Sequence, residues 1–132
     1  MAILISGASG FLGQKLLSNI DSNEKIYALA RDLNKTLPVD NKSIEWIEFD
    51  LSKDLIDISN LDKITTVIHL AGATLGAGDD EMMHLQSNEL TTFNLLRSVS
   101  NHCCNFIYAS SQVVYGNPNN LNIDENSKLN SS

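Results

Sequence analysis

Short apolar runs alternate along this chain with longer stretches whose apolar positions repeat at helical spacing. Residues 2–6 are apolar almost throughout and end at a glycine, the pattern of a strand buried on both faces. Residues 11–20 carry Leu12, Leu16, Leu17 and Ile20 at helical spacing and predict a helix. Residues 25–30 read as a second strand, and 44–49 as a third in which Ile44 and Trp46 alternate with polar positions. A short helix is expected over 55–61, and a fourth strand, apolar at its centre, over 66–70. Met82, Leu85, Leu90, Phe93, Leu96 and Val99 predict a long helix over 81–101, and residues 106–109 a fifth strand. Such alternation predicts an α/β fold: a parallel sheet of about five strands flanked by helices.

After Gly116 the pattern stops. Residues 117–132 are rich in Asn and Ser, with Pro118 and few apolar positions, which is loop chemistry. The expected organisation is one domain over 1–116 and a connecting tail over 117–132.

Composition narrows the partners. Nine Lys plus Arg against 16 Asp plus Glu give a net charge of −7, and no basic cluster offsets it, so nucleic acid is not expected as a partner. No apolar run approaches the ~20 residues of a membrane-spanning helix, and the start lacks the basic leader of a secretory signal. The two cysteines, Cys103 and Cys104, are adjacent, a poor geometry for a disulfide, and the three His are scattered. The expectation is a reduced, cytoplasmic protein without a membrane or metal site.

The most informative segment is Gly7-Ala8-Ser9-Gly10-Phe11-Leu12-Gly13, between the first strand and the first helix. Gly7 permits the tight turn out of the strand. Gly10 lets a diphosphate approach the backbone, and Gly13 lets the helix pack closely on the strand. Amides at the helix start then face the phosphates. The glycines count because of where they fall, after a buried strand and before a helix.

With this Gly-x-x-Gly-x-x-Gly spacing the chain resembles the extended short-chain dehydrogenase/reductase family, the NAD-dependent epimerase/dehydratase group. Four more segments carry the resemblance in order: Phe49-Asp50-Leu51, Val67 to Ala73, Asn88 with Thr91, Thr92, Asn94, Leu95 and Leu96, and Tyr108 to Gly116. The likeness covers residues 2 to about 126. It implies a Rossmann-type sheet of order 3-2-1-4-5, cut short before the sixth strand and the substrate domain. It also implies a dinucleotide site at Gly7, Ser9, Gly10, Phe11, Leu12, Gly13, Arg31, Asp50, Leu51, Leu70, Ala71, Gly72, Asn88 and Ser110. Asp50 and Leu51 would meet the adenine, and residues 67–73 would run beneath the ribose and nicotinamide. In the family, Asn88 ties the fourth strand to the long helix.

Residues 27–32 set the cofactor expectation. Arg31 stands where NAD-binding members of the family place an acid, and a guanidinium pairs with a phosphate, which favours NADP with Lys35 as a second cation. The alternative is that Asp32 holds the ribose while Arg31 stacks on adenine, which would favour NAD.

Family members use a Tyr-x-x-x-Lys pair as base, in which the lysine stabilises the phenolate. Here the residues four after Tyr27, Tyr108 and Tyr115 are Arg31, Gln112 and Asn119. Ser111 matches the family's supporting serine, four residues before Tyr115, with Ser110 as neighbour. Asp124-Glu125-Asn126-Ser127 resembles the loop leading to the active helix. The implied function is therefore the cofactor-binding part of an oxidoreductase or isomerase acting on a nucleotide-sugar, inactive alone. The alternatives are a non-catalytic dinucleotide-binding sensor or scaffold, and a shortened product without activity. Loss of cover over the fifth strand and the long helix would drive dimerisation or aggregation.

Other residues read as structure. His69 in its strand is expected to be packed, not basic, because no acid neighbours it locally. His84 and His102 fall on the long helix and are expected at its surface. Cys103 and Cys104 read as small buried groups, and Trp46 as sheet-face packing.

Overall fold

The computed structural model describes residues 1–21, 23–36, 43–73, 80–102, 105–116 and 123–129. Its five strands are β1 (Ala2–Ser6), β2 (Lys25–Ala30), β3 (Ile44–Glu48), β4 (Ile64–His69) and β5 (Asn105–Tyr108). They form one sheet of order β3-β2-β1-β4-β5, every pair parallel. Helix α1 (Phe11–Asn19) connects β1 to β2, and α2 (Glu81–Val99) connects β4 to β5. The sheet order and class match those expected.

Alternation along the central strands divides the core in two. Leu4 and Tyr27, Leu29 and Val67 face one side, where Leu95 and Val99 of α2 cover them. Ile5, Ile26 and Ala28 face the other, under Leu17 of α1, with Ile44 and Trp46 packed alongside. Both faces are therefore apolar, which is why β1 and β2 read as unbroken apolar runs.

Boundaries moved by a residue or two at most strands, and one element is corrected. Residues 55–61 are not helical. Ile56 and Ile58 are both buried in the first core cluster while Leu55 is exposed, an extended arrangement with period two. Asp54 and Asp57 accept the Leu55 and Ser59 amides at 2.7 and 2.9 Å, and the Ile56 amide donates to Ser98 Oγ on α2 at 3.0 Å. Side-chain oxygens thus take amides that a helix would use. Helix α2 ends at Val99, so His102 lies beyond it, half-buried in the following turn. Cys103 and Cys104 fall outside the described residues, as does much of the tail. Among the described residues no helix is long and apolar enough to cross a membrane, and no cluster could hold a metal.

Candidate functional site

All parallel strands end on one edge, and the loops leaving β1, β2, β3 and β4 there enclose an open cleft of about 720 Å³, its mouth included. Gly7, Ser9 and Gly10 line it from the turn after β1, and Leu29, Ala30 and Arg31 from the end of β2. Phe49 to Ser52 follow β3, Leu70 to Ala73 follow β4, and Ser87, Asn88 and Thr91 belong to α2. An open α/β sheet forms its ligand crevice at such an edge, where neighbouring connections diverge to opposite faces.

Gly7 has φ +70°, and a Cβ there would lie 2.6 Å from the Ala71 amide nitrogen. The turn after β1 is thus pressed against the turn after β4, and only glycine fits. At Gly13 a Cβ would collide with the Gly7 carbonyl oxygen and sit 2.6 Å from the Ala8 Cα. At Gly10 the nearest atom is the Gly7 oxygen at 3.2 Å, so the space beyond belongs to the cleft. Helix α1 starts on Gly10 with no side-chain cap and no acid in its first turn. Its first amides therefore present partial positive charge without a competing side chain. The side chains of Phe11 and Leu12 are exposed and outside the cleft wall, so only their amides face this role.

The charged side chains lining the cleft are Arg31 and Asp50. Asp50 Oδ1 accepts from the Ser52 hydroxyl at 2.7 Å and its amide at 3.1 Å, and Oδ2 lies 3.5 Å from Lys53 Nζ. The Ser52 hydroxyl, then its amide and Lys53, hold this carboxyl below its usual range. Arg31 has no hydrogen-bond or ion-pair partner among the described residues. Asp32 is engaged elsewhere: it caps a short 3-10 turn (Leu33–Lys35), accepting from the Asn34 amide and side chain at 3.0 Å, with Lys35 Nζ at 3.7 Å. Asp32 and Lys35 both lie outside the cleft wall.

Helix α2 holds the opposite wall. Asn88 Oδ1 accepts the Ala73 amide at 2.6 Å and Nδ2 donates to the Ala73 carbonyl at 3.1 Å. The side chain is thereby committed to the loop after β4, the tie between strand and helix expected for it. Asn94 Nδ2 donates to the Leu51 carbonyl at 2.8 Å, fixing the loop after β3 to the same helix. Sequence reasoning assigned Asn94 no task and missed Ser52, Ser87 and Thr91 as lining residues. Ser110 and Ser111 follow β5 at the same sheet edge, exposed and beyond the cleft wall. His69 is fully buried, and burial lowers its pKa, as a packed histidine requires.

The sequence matches the model of the NAD dependent epimerase/dehydratase family over residues 3–132. It is 28% identical over 134 residues to a putative UDP-glucose 4-epimerase of Methanocaldococcus jannaschii, covering 97% of this chain and 44% of that protein. It is 32% identical over 131 residues to a CDP-paratose 2-epimerase of Salmonella typhi, covering 88% of this chain and 38% of the relative. The chain thus spans less than half the length of either. The fold is shared with the Bordetella bronchiseptica enzyme WbmG, solved in complex with NAD and UDP: TM-score 0.75, 21% identity, 97% of this chain and 43% of that one.

Proposed function

This chain belongs to the NAD dependent epimerase/dehydratase family, and from that premise we propose that it forms the dinucleotide-holding part of an enzyme acting on a nucleotide-linked sugar. One observation carries the reading: the uncapped start of α1, at Gly10, opens onto a cleft walled by the turns after β1 and β4. Backbone amides around Gly7, Gly10 and Gly13 would meet the diphosphate. Asp50 and Leu51 would line the adenine end, and Leu70, Ala71 and Gly72 the opposite wall, shaped by Asn88. When bound, the nicotinamide supplies a hydride acceptor; the residues here hold and orient it.

NADP is the proposed cofactor. Among the described residues Arg31 is the cleft's unpaired cation, while Asp32 is occupied in capping its own turn. A guanidinium without a carboxylate partner is suited to a 2′-phosphate. Calorimetric titration of the chain with NADP and NAD tests both levels. Binding of NADP at least about tenfold tighter than NAD, with Arg31→Ala erasing the difference, is expected. Equal affinities that Arg31→Ala leaves unchanged would overturn the NADP assignment, and no binding of either would overturn the site.

Residues 1–116 serve as the binding unit and 117–132 as a connector towards further sequence, with Ser111 the supporting serine and Ser110 a cofactor contact. The scarcity of cysteine supports a cytoplasmic setting. Leu85, Phe93 and Leu96 of α2 and Ile107 of β5 are exposed, a surface that a second copy would cover. A sharp monomer by light scattering at high concentration would count against that pairing.

A further inference from the structure

A polar chain, buried at Ser6 and His69 and half-buried at Thr92 and Asn88, runs from the strand bearing the glycine turn to the helix that closes the far wall. Ser6 and His69 are register partners on β1 and β4, and both are fully buried. Ser6 Oγ lies 2.5 Å from His69 Nδ1, and Thr92 Oγ1 lies 3.0 Å from Nε2. The Thr92 hydroxyl donates to the Asn88 carbonyl at 2.9 Å, so towards the ring it acts as acceptor. This assigns the hydrogen to Nε2 and leaves Nδ1 to accept from the Ser6 hydroxyl. The direction runs one way: Ser6 to His69 to Thr92 to Asn88.

Asn88, at one end of this chain, lines the cleft, and Ser6, at the other, adjoins the lining residues Gly7 and Leu70. Ser6 immediately precedes Gly7, and its carbonyl accepts the Leu70 amide at 3.1 Å. Asn88 grips both backbone groups of Ala73. Besides Ser6 and Thr92, the ring meets Phe106 and Tyr108 of β5, at centroid distances of 6.0 and 5.5 Å. Among these groups none is a carboxylate, so nothing compensates a charge on the ring, and the neutral form fits the site.

We propose that His69 is a positioning residue for the dinucleotide, its Nε2–H tautomer coupling the Gly7 turn to the Ala71–Ala73 wall so that both sides of the cleft are set as one unit. The proposal rests on the cleft being a dinucleotide site. Such a link transmits through two hydrogen bonds whose directions cannot both reverse without leaving a buried polar group unpaired.

Thr92→Val removes the acceptor for Nε2–H at nearly constant shape, and Thr92→Ser retains it. In NADP titrations of the 132-residue chain, Thr92→Val is expected to weaken binding about fivefold or more, and Thr92→Ser to restore it. Long-range proton–nitrogen spectra of the unmodified chain supply an arm that needs no variant and decides the case should Thr92→Val not fold. The His69 ring is expected to hold the Nε2–H tautomer throughout, with its nitrogen signals moving on saturation with NADP. A folded Thr92→Val that binds like the parent, or ring signals unmoved at saturation, overturns the proposal alone. A parent that binds neither NADP nor NAD overturns the cleft reading, and this proposal with it.

Discussion

Helix α1 starts on Gly10, without a capping side chain or an acid in its first turn, whereas α2 starts on Asp80, which accepts the Met82 amide at 2.9 Å, with Glu81 beside it. Both helices face the same problem, a first turn of unpaired amides with partial positive charge. Helix α2 solves it internally and also places Arg97 in its last turn. Helix α1 leaves it unsolved at the mouth of a cleft. A side-chain cap contributes about 1 kcal/mol, and its absence at the cleft end leaves the first amides of α1 available to the diphosphate proposed there, whereas those of α2 are already engaged.

The largest effect expected from breaking this contrast comes from Gly13→Val. Its Cβ would collide with the Gly7 oxygen and the Ala8 backbone, neither of which can move without shifting β1. Urea unfolding should show a loss of about 3 kcal/mol, with cofactor binding lost as well. Gly10→Asp gives α1 the kind of start that α2 has. Calorimetry should show NADP affinity falling at least about tenfold, because the carboxylate takes the amides and repels the diphosphate. Its unfolding free energy should be unchanged or higher by a few tenths of a kcal/mol. The mirror variant, Asp80→Ala, should lower stability by about 1 kcal/mol in the same denaturation and leave affinity for NADP unaltered.

The smallest expected effect lies between the two helices, at His69. Its pKa in the fold is below the ordinary value of 6.5, because burial disfavours the imidazolium. The unfolded chain therefore binds the proton more readily, and stability present above about pH 6.5 declines as the pH falls below it. Asp50, held low chiefly by the Ser52 hydroxyl, gives up its contribution only below the ordinary carboxylate value of 3.8. Thermal melts between pH 8 and pH 5 should thus show a decline that His69→Asn flattens.

The strands were legible because buried parallel strands leave unbroken apolar runs, their order only through the family resemblance, and the glycine turn because three positions each meet a separate steric demand. The stretch 55–61 misled, since Leu55, Ile56, Ile58 and Leu61 suit a short helix as well as an extended chain. What decided it was long-range: Ser98 takes the Ile56 amide from 42 positions away. The same holds for the wall of the cleft. Asn94 with the Leu51 carbonyl, and His69 with Ser6 and Thr92, are pairings made by the sheet and by α2, and no local pattern announces them. The turn at Leu33–Lys35 did leave a signal, an Asp two residues before an Asn, in the short side-chain-to-backbone register typical of such caps.

The contrast between the two helix starts can be read directly from backbone amide spectra of the labelled chain during a titration with NADP. Saturable shifts are expected at Gly7, Gly10, Phe11, Leu12 and Gly13, with the amides of Glu81, Met82 and Met83 at the start of α2 unmoved. Saturation that leaves the α1 amides in place, or that moves both helix starts alike, would contradict this contrast.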